Sequence, residues 1–130
     1  MKKYIVVAVV VIVIGAGFFY YKSKKAVSPV ATQSGQNLDA FAKCIANSGA
    51  KFYGAFWCPH CKDQKAEFGS SVQYLPYVEC STPDGNAQTQ ICKDNNIQGY
   101  PTWVFADGSN VSGEQTLQAL AQKTGCSLPQ

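Results

Sequence analysis

Apolar and polar positions divide the chain into one long hydrophobic run near its start and a region of short alternating segments. The run at residues 4–21 has 18 positions without a charged or strongly polar side chain, and lysines flank it on both sides. As a helix it would be about 27 Å long, close to the thickness of the hydrocarbon core of a bilayer. Aromatic residues at its ends suit the membrane interfaces. We therefore predict an N-terminal transmembrane anchor within residues 1–25 that contacts lipid through residues 4–21.

A cleaved signal peptide is the alternative interpretation of this run, because the residues at positions 15–17 are small enough for a cleavage site. The aromatic residues and lysines that follow them differ from the polar start of a mature protein, which favours an uncleaved anchor. Residues 26–36 are mostly polar and include one proline and one glycine, so we predict a flexible tether there. Residues 37–130 then form one small domain.

Short elements alternate along this domain. Helical spacing of apolar residues begins behind Asn37, a plausible N-cap, and ends at Gly49. Three further helices are predicted at about residues 58–68, at about residues 87–94 and after a capping box at Ser112–Gln115. Apolar runs predict four strands, at residues 51–57, 77–80, 102–105 and 110–111. The order αβαβαββα predicts an α/β fold, a sheet with helices on both faces.

The charge of the chain argues against a nucleic-acid partner. The formal charge is +3, but there is no arginine and five of the 11 lysines flank the hydrophobic run. From residue 26 onward six lysines stand against eight acidic residues, which gives the domain a formal charge of −2. The sequence therefore shows no basic patch for nucleic acid, and the flanking lysines suit lipid headgroups better.

The cysteine content indicates an oxidising compartment. The chain has six cysteines, at positions 44, 58, 61, 80, 92 and 126. This number in a small domain is typical of proteins outside the cytoplasm. The positive-inside rule gives no orientation, since lysines lie on both sides of the hydrophobic run. We therefore predict a single-pass membrane protein with its domain on the extracytoplasmic side, periplasmic or extracellular.

Cys58 and Cys61 are the candidates for chemistry, because they directly follow a strand-like segment. If a helix begins at Cys58, the partial positive charge of its N-terminus would stabilise a thiolate there. Only a thiolate attacks a disulfide, and the spacing brings the second sulfur within bonding reach of the first. With Pro101 located 40 residues after Cys61, the pattern predicts a thiol–disulfide oxidoreductase with a Cys-x-x-Cys active site.

Half of a zinc site is the alternative interpretation of this pair. Cys80 and Cys92 would supply the other two thiolate ligands. Zinc sites usually combine two closely spaced pairs on turns, and 11 residues separate these two cysteines. The spacing therefore fits zinc poorly, and we predict neither a metal nor another cofactor.

The residues around the pair resemble the thioredoxin superfamily. Residues 57–61 (Trp-Cys-Pro-His-Cys) and residues 100–102 (Tyr-Pro-Thr) carry the resemblance. Residues 51–65, 77–80 and 97–103 are similar to one branch in particular, the thioredoxin-like domain fused to bacterial vitamin K epoxide reductase homologues. The resemblance covers about residues 38–126 and implies a central mixed sheet of about four strands. A single anchor replaces the four-helix reductase domain here, which implies that the redox partner is a separate protein.

The resemblance implies a role for each motif residue. Cys58 would be the exposed nucleophile, and Cys61 would be the buried cysteine that resolves the mixed disulfide. Pro101 would be a cis-proline beside them, whereas X–Pro statistics alone favour an ordinary trans proline. Tyr100 would offer backbone groups to an extended substrate. His60 would stabilise the Cys58 thiolate, unless it is only a polar residue of a first helical turn.

Two neighbours of the cysteines complete the predicted site. Pro59 is tolerated as the first residue of a helix. Trp57, Trp103 and Tyr100 would form an apolar platform around the site, although core packing would explain Trp103 equally well. Thioredoxin reductants have a buried acidic residue six positions before the first cysteine, and Phe52 stands there in this chain. This replacement favours oxidation over reduction.

The other four cysteines are candidates for structural disulfides. Related domains have cysteines at the positions of Cys80 and Cys92, which implies a bridge between them, with two buried thiols as the alternative. Cys44 and Cys126 are left over, and sequence alone does not fix whether they pair. The fold implied by the resemblance places their helices on opposite faces of the sheet, which argues against that bridge.

Three functions remain open at this point. The leading hypothesis is a disulfide oxidase whose substrates are exported proteins with cysteines. A membrane quinone-linked reductase of the vitamin K epoxide reductase type would reoxidise it. A reductase or isomerase with the same active site is the second hypothesis. The third is a non-catalytic peptide-binding module, which a serine at either motif cysteine would have favoured.

Overall fold

The computed structural model describes residues 37–129. Its elements, in chain order, are α1 (Asp39–Asn47), β1 (Lys51–Gly54), α2 (Pro59–Ala66), a 3₁₀ helix (Gly69–Tyr74), β2 (Tyr77–Glu79), α3 (Gln90–Asp94), β3 (Thr102–Val104), β4 (Asn110–Ser112) and α4 (Leu117–Thr124). The predicted anchor at residues 4–21 and tether at residues 26–36 lie outside the described residues. Within residues 37–129, no helix has the length and apolar character needed to cross a membrane.

The four strands form one mixed sheet in the order β2-β1-β3-β4. Strand β1 runs parallel to β2 and antiparallel to β3, and β4 is antiparallel to β3. Phe52 in β1 pairs with Tyr77 on one side and with Trp103 on the other. The predicted α/β fold with a mixed four-stranded sheet is therefore confirmed.

The larger core lies on the sheet face that carries Phe52 and Trp103, whose rings stack 4.7 Å apart. Helices α1, α2 and α4 all contribute to it, and its buried members include Leu38, Phe41, Ala42, Ile45, Cys61, Phe68, Phe105 and Leu120. A smaller core on the opposite face contains Tyr53, Cys80, Cys92 and Ile97. Because successive side chains of a strand point to opposite faces, the neighbours Phe52 and Tyr53 belong to different cores.

Helices α1 and α4 lie on the same face of the sheet and contact each other. The placement on opposite faces that the resemblance implied is therefore wrong for this chain. The physical reason is the apolar stripe of α1, where Phe41 and Ile45 pack into the core that also takes Leu120 of α4. A disulfide joins Cys44 of α1 to Cys126, with 5.9 Å between their Cα atoms.

Three element boundaries differ most from those predicted, and several others differ by one or two residues. Strand β1 ends at Gly54, because the chain turns before α2. Helix α3 begins only at Gln90, since the preceding residues form a turn closed by a bridge between Ser81 and Gln88. Ser112 belongs to β4, and α4 is capped instead by Thr116, whose hydroxyl accepts a hydrogen bond from the Ala119 N–H at 3.1 Å.

Candidate active site

Cys58 occupies the N-cap position of α2, and Pro59 is the first helical residue. The Cys58 backbone is extended, with φ −72° and ψ 121°, while its carbonyl accepts the first helical hydrogen bond from the Lys62 N–H at 3.2 Å. Proline suits the next position, since that N–H would have no partner within the helix. The unpaired N–H groups of this helix end give Cys58 a partly positive environment, which favours a thiolate.

Cys58 lies beneath the loop that contains Tyr100 and Pro101. Cys58 is only 4% exposed, so the prediction of an exposed nucleophile is wrong. The cause is the Tyr100 carbonyl oxygen, which lies 3.6 Å from the Cys58 sulfur and accepts a hydrogen bond from it. The Tyr100–Pro101 peptide bond is cis, and Pro101 itself is buried.

Cys61 is the more deeply buried member of the pair, with 1% of its surface exposed. Burial raises the pKa of its thiol to about 12, although a backbone hydrogen bond with Ala55 and the charge of Lys65 act in the opposite direction. The sulfur therefore stays protonated at neutral pH in the reduced protein. The two cysteines are unequal, because Cys58 lies at a helix terminus and Cys61 lies inside the core.

His60 points toward Glu114, in the segment between β4 and α4. The His60 Nδ1 atom lies 2.6 Å from the Glu114 carboxylate, and the two side chains are 67% and 39% exposed. Among the hydrogen bonds of residues 37–129, the His60 ring has this carboxylate as its partner rather than Cys58. An exposed pair of this kind contributes less than about 1 kcal/mol to stability. The prediction that His60 stabilises the Cys58 thiolate is therefore not supported by a hydrogen bond between the two side chains.

A group of three possible metal ligands surrounds the same pair. One ligand atom from each of His60, Asp63 and Glu114 lies within 4.8 Å of the others. All three side chains are exposed, and exposed acidic groups often cluster without a cation. We therefore assign no metal to this group.

An apolar surface borders the two cysteines. Phe56 and Trp57 are 48% and 49% exposed, although they precede a buried residue. The Trp57 indole N–H donates to the Ser81 hydroxyl at 2.9 Å, and its ring meets the Tyr100 ring edge-on. The predicted platform is thus present at Trp57 and Tyr100, and Phe56 extends it, whereas Trp103 is fully buried in the core and is not part of it. Exposed aromatic rings of this kind suit apolar segments of a partner chain.

Gln64 anchors α2 through hydrogen bonds on its buried side. No role for this residue was predicted from the sequence. Its amide is fully buried and makes four hydrogen bonds, the full capacity of the group. The amide nitrogen donates to the Gln115 carbonyl and to the Glu67 carboxylate. The amide oxygen accepts from the Trp103 indole and from the Gln115 N–H. These bonds fix α2 against β3 and against the segment that precedes α4.

The remaining cysteines form two disulfides. Cys80 is joined to Cys92, and Cys44 is joined to Cys126. The first bridge removes two of the four thiolates that the alternative zinc site would need. All six cysteines of the chain lie within residues 37–129, so Cys58 and Cys61 are the pair left as thiols.

Comparison with known proteins agrees with this geometry. The family model for thioredoxin matches residues 29–124, a range that contains both motif cysteines and the Tyr100–Pro101 loop. The chain belongs to the thioredoxin family. In this thioredoxin domain, the cysteine pair lies at the start of α2, which follows β1 of the central sheet.

Curated relatives of this thioredoxin-family chain include three redox proteins. It is 45% identical over 106 residues to the thiol-disulfide oxidoreductase LTO1 of Arabidopsis thaliana, covering 78% of this chain and 28% of that protein. It is 37% identical over 78 residues to the probable protein disulfide-isomerase A4 of Caenorhabditis elegans, covering 58% and 12%. It is 32% identical over 96 residues to the probable protein disulfide-isomerase ER-60 of Schistosoma mansoni, covering 67% and 19%. The chain therefore spans less than a third of each relative.

Proposed function

We propose that this chain is a membrane-anchored, extracytoplasmic thiol–disulfide oxidoreductase that oxidises exported proteins. The observation that carries the proposal is the inequality of its cysteines. Four of them are closed in two disulfides, whereas Cys58 and Cys61 remain as thiols at the start of α2. The Tyr100 carbonyl beside Cys58 and the exposed rings of Phe56 and Trp57 offer a substrate both a backbone contact and an apolar contact.

The proposed reaction begins with the Cys58–Cys61 pair as a disulfide. A substrate thiolate attacks the Cys58 sulfur, and the bond between Cys58 and Cys61 breaks. The electron pair of that bond stays on the Cys61 sulfur, while a new disulfide joins the substrate to Cys58. A second thiolate of the substrate then attacks the substrate sulfur that is bonded to Cys58. A disulfide forms within the substrate, and Cys58 is released as a thiolate. The substrate loses two electrons, and the pair gains them.

The direction of transfer depends on how well the reduced pair is stabilised. The N-terminus of α2 stabilises a Cys58 thiolate, and Phe52 provides no carboxylate behind Cys61. The helix terminus favours the reduced pair and therefore makes the disulfide a better oxidant, and Phe52 leaves Cys61 without a base for the attack that a reductase needs. The salt contact between His60 and Glu114 reduces the contribution of the histidine, so the helix terminus is the main support for this direction.

The redox potential of the pair tests the oxidase proposal. Equilibration of the full-length protein with glutathione buffers should give a potential less negative than that of thioredoxin, which is about −270 mV. The fraction reduced is read from trapped thiols by mass spectrometry, with the Cys58→Ser variant as the control that cannot form the disulfide. A potential equal to that of thioredoxin or more negative would contradict the oxidase and support a reductase.

Disulfide isomerisation is the second candidate function, because two of the relatives are named probable protein disulfide-isomerases. An isomerase must release its substrate from Cys58 and attack again, so it works with the pair mostly reduced. Refolding of a scrambled test protein without added oxidant distinguishes the two activities. The oxidase proposal expects little recovery in that assay, and rapid recovery when the test protein begins reduced and enough protein with an oxidised Cys58–Cys61 pair is present to take up its electrons.

The location and partner in this proposal have indirect support. Two disulfides in one small domain suit an oxidising compartment, and the resemblance to domains fused with vitamin K epoxide reductase homologues suggests a separate quinone-linked partner. Protease added to intact cells should therefore cleave the tether at residues 26–36, and protection there would contradict the orientation. Cells that lack such a partner should accumulate the protein with its Cys58–Cys61 pair reduced.

A further inference from the structure

Three polar side chains lie behind the active-site pair and have no role in the proposed disulfide exchange. Lys65 of α2 places its ammonium group 3.3 Å from the centre of the Tyr77 ring. The Tyr77 hydroxyl donates a hydrogen bond to the Glu79 carboxylate at 2.8 Å. The other oxygen of that carboxylate accepts from the backbone N–H groups of Phe56 and Ser81. All three side chains are half-buried.

Gly54 allows this cluster to approach Cys61. A Cβ atom placed on Gly54 would lie 2.8 Å from the Cys61 sulfur and 2.9 Å from the edge of the Tyr77 ring. Real Cβ atoms do not tolerate contacts that short, so the sulfur and the ring share the space that any side chain at this position would fill. The Tyr77 ring therefore has Cys61 near its edge and the Lys65 ammonium over its face.

Lys65 and Cys61 are also neighbours along α2. They are four residues apart, which places them on the same side of the helix one turn from each other. Burial lowers the pKa of Lys65, although the charges of Glu79 and of a Cys61 thiolate act in the opposite direction. Burial likewise raises the pKa of Tyr77. The Lys65 ammonium group, over the Tyr77 ring, therefore places a positive charge near the Cys61 sulfur.

We infer that Lys65 is a positioning residue that holds a positive charge near the Cys61 sulfur when the active-site disulfide opens. This inference deepens the proposed exchange at Cys58 and Cys61 and rests on it. In that exchange the electron pair of the broken bond stays on the Cys61 sulfur, inside the core. A buried anion is costly unless a charge or hydrogen bond compensates it. Phe52 supplies neither, and Lys65 supplies the charge.

The groups that face Cys61 can be named element by element. Helix α2 contributes Cys58 and Lys65, and β2 contributes Tyr77, whose hydroxyl donates a hydrogen bond to Glu79. From β1, the residue facing the sulfur is Gly54, which has no side chain to titrate. Tyr77 remains neutral, because burial and the Glu79 carboxylate both raise its pKa. Lys65 is therefore the group whose charge can change the rate at which Cys61 leaves.

The test compares how fast dithiothreitol reduces the oxidised pair in three variants of the full-length protein. Lys65→Met should slow reduction about tenfold, because the leaving thiolate loses its counter-charge. Lys65→Arg keeps the charge and should stay within about threefold of the wild type. Lys43→Met is the matched control, since Lys43 of α1 makes the same kind of contact with the ring of Tyr74 in the 3₁₀ helix, and the rate should be unchanged. Tryptophan fluorescence follows the reaction.

The pH profile separates charge from packing. The ratio of wild-type to Lys65→Met rates should fall as the pH rises from about 6 to about 10, because Lys65 loses its proton below the usual lysine range. The ratio of Lys65→Arg to Lys65→Met should stay constant, because the guanidinium stays charged. Purely structural damage would instead give a ratio that does not depend on pH.

Two results would overturn the inference. Equal rates for the wild type and Lys65→Met would show that the charge is not used, and an arginine variant as slow as the methionine variant would show that only shape matters. Urea unfolding checks that each variant is folded, and Lys65→Gln replaces Lys65→Met if the latter is not. A wild-type protein that exchanges no disulfide at all would instead contradict the proposed function itself.

Discussion

Replacing Cys61 with alanine should trap substrate proteins on Cys58 as mixed disulfides. Cys58 has the N-terminus of α2 beside its sulfur, so its thiolate attacks a disulfide of an oxidised substrate, breaks that bond and forms a mixed disulfide. In the wild type Cys61 attacks this mixed disulfide and releases the substrate as a dithiol, and without Cys61 the protein has no thiol that can do so. Non-reducing gels of the full-length protein should therefore show adducts that disappear on reduction, while oxidase turnover falls to the background rate.

The controls for this experiment are the other cysteine variants. Cys58→Ala should lose both activity and adducts while remaining folded, because burial raises the pKa of the Cys61 thiol to about 12 and keeps it protonated and unreactive. The Cys80→Ala/Cys92→Ala double variant should retain turnover, since both sulfurs are fully buried. Loss of turnover in that folded double variant would show that electrons pass through the second bridge. The chain would then be a shuttle with two redox disulfides.

Removing the Cys44–Cys126 bridge should destabilise the protein more than removing the Cys80–Cys92 bridge. The first closes a loop across a sequence separation of 82 residues, and the second closes one across 12. The chain-entropy relation gives about 4.5 kcal/mol for the longer loop and about 3 kcal/mol for the shorter one. Chemical unfolding of the two double alanine variants measures the difference directly.

The double variants are the appropriate comparison, because a single replacement would leave an odd thiol that can exchange with the active site. The Cys58→Ser/Cys61→Ser variant serves as the reference, since it removes two sulfurs without removing a structural bridge. Equal losses in the two double variants would contradict the entropic account and point to local packing. The small core around Cys80 and Cys92 is where such packing would act.

The sheet was predictable from sequence because its strands are short apolar runs bounded by turn residues. The order of elements also followed, and it is enough to build a mixed sheet once β1 and β2 are joined through a helix. The face covered by α1 was not predictable. It depends on whether Phe41 and Ile45 enter the core with Leu120 or the core with Ile97, and both cores accept apolar residues equally well.

The candidate site divides in the same way. Cys58, Pro59 and Cys61 are close in sequence, and the start of a helix at a proline fixes their geometry locally. Contacts between distant segments were missed. Glu114 lies 54 residues after His60, and the Gln115 N–H that Gln64 binds lies 51 residues after it. Spacing rules describe neighbours along one helix or strand, and they give no information about such pairs.

The cluster of Lys65, Tyr77 and Glu79 behind Cys61 was also not predicted from the sequence. The resemblance drew attention to Phe52, where thioredoxin reductants have an acidic residue, and no other group near Cys61 was named from the sequence. The fold instead brings the charge from Lys65, one helical turn beyond Cys61, over the ring of Tyr77. Gly54 allows this arrangement through the absence of a side chain. The glycine itself can be read from the sequence, but the sequence does not show that the Cys61 sulfur and the Tyr77 ring occupy the space of its missing side chain.

Disulfide mapping after a single turnover tests the central claim most directly. The fully oxidised full-length protein is mixed with one equivalent of a reduced test protein, quenched with an alkylating agent and digested for mass spectrometry. The account predicts one new disulfide in the test protein, alkylated Cys58 and Cys61, and intact bridges at Cys44–Cys126 and Cys80–Cys92. An unchanged test protein, or alkylation of either structural bridge in place of Cys58 and Cys61, would contradict it.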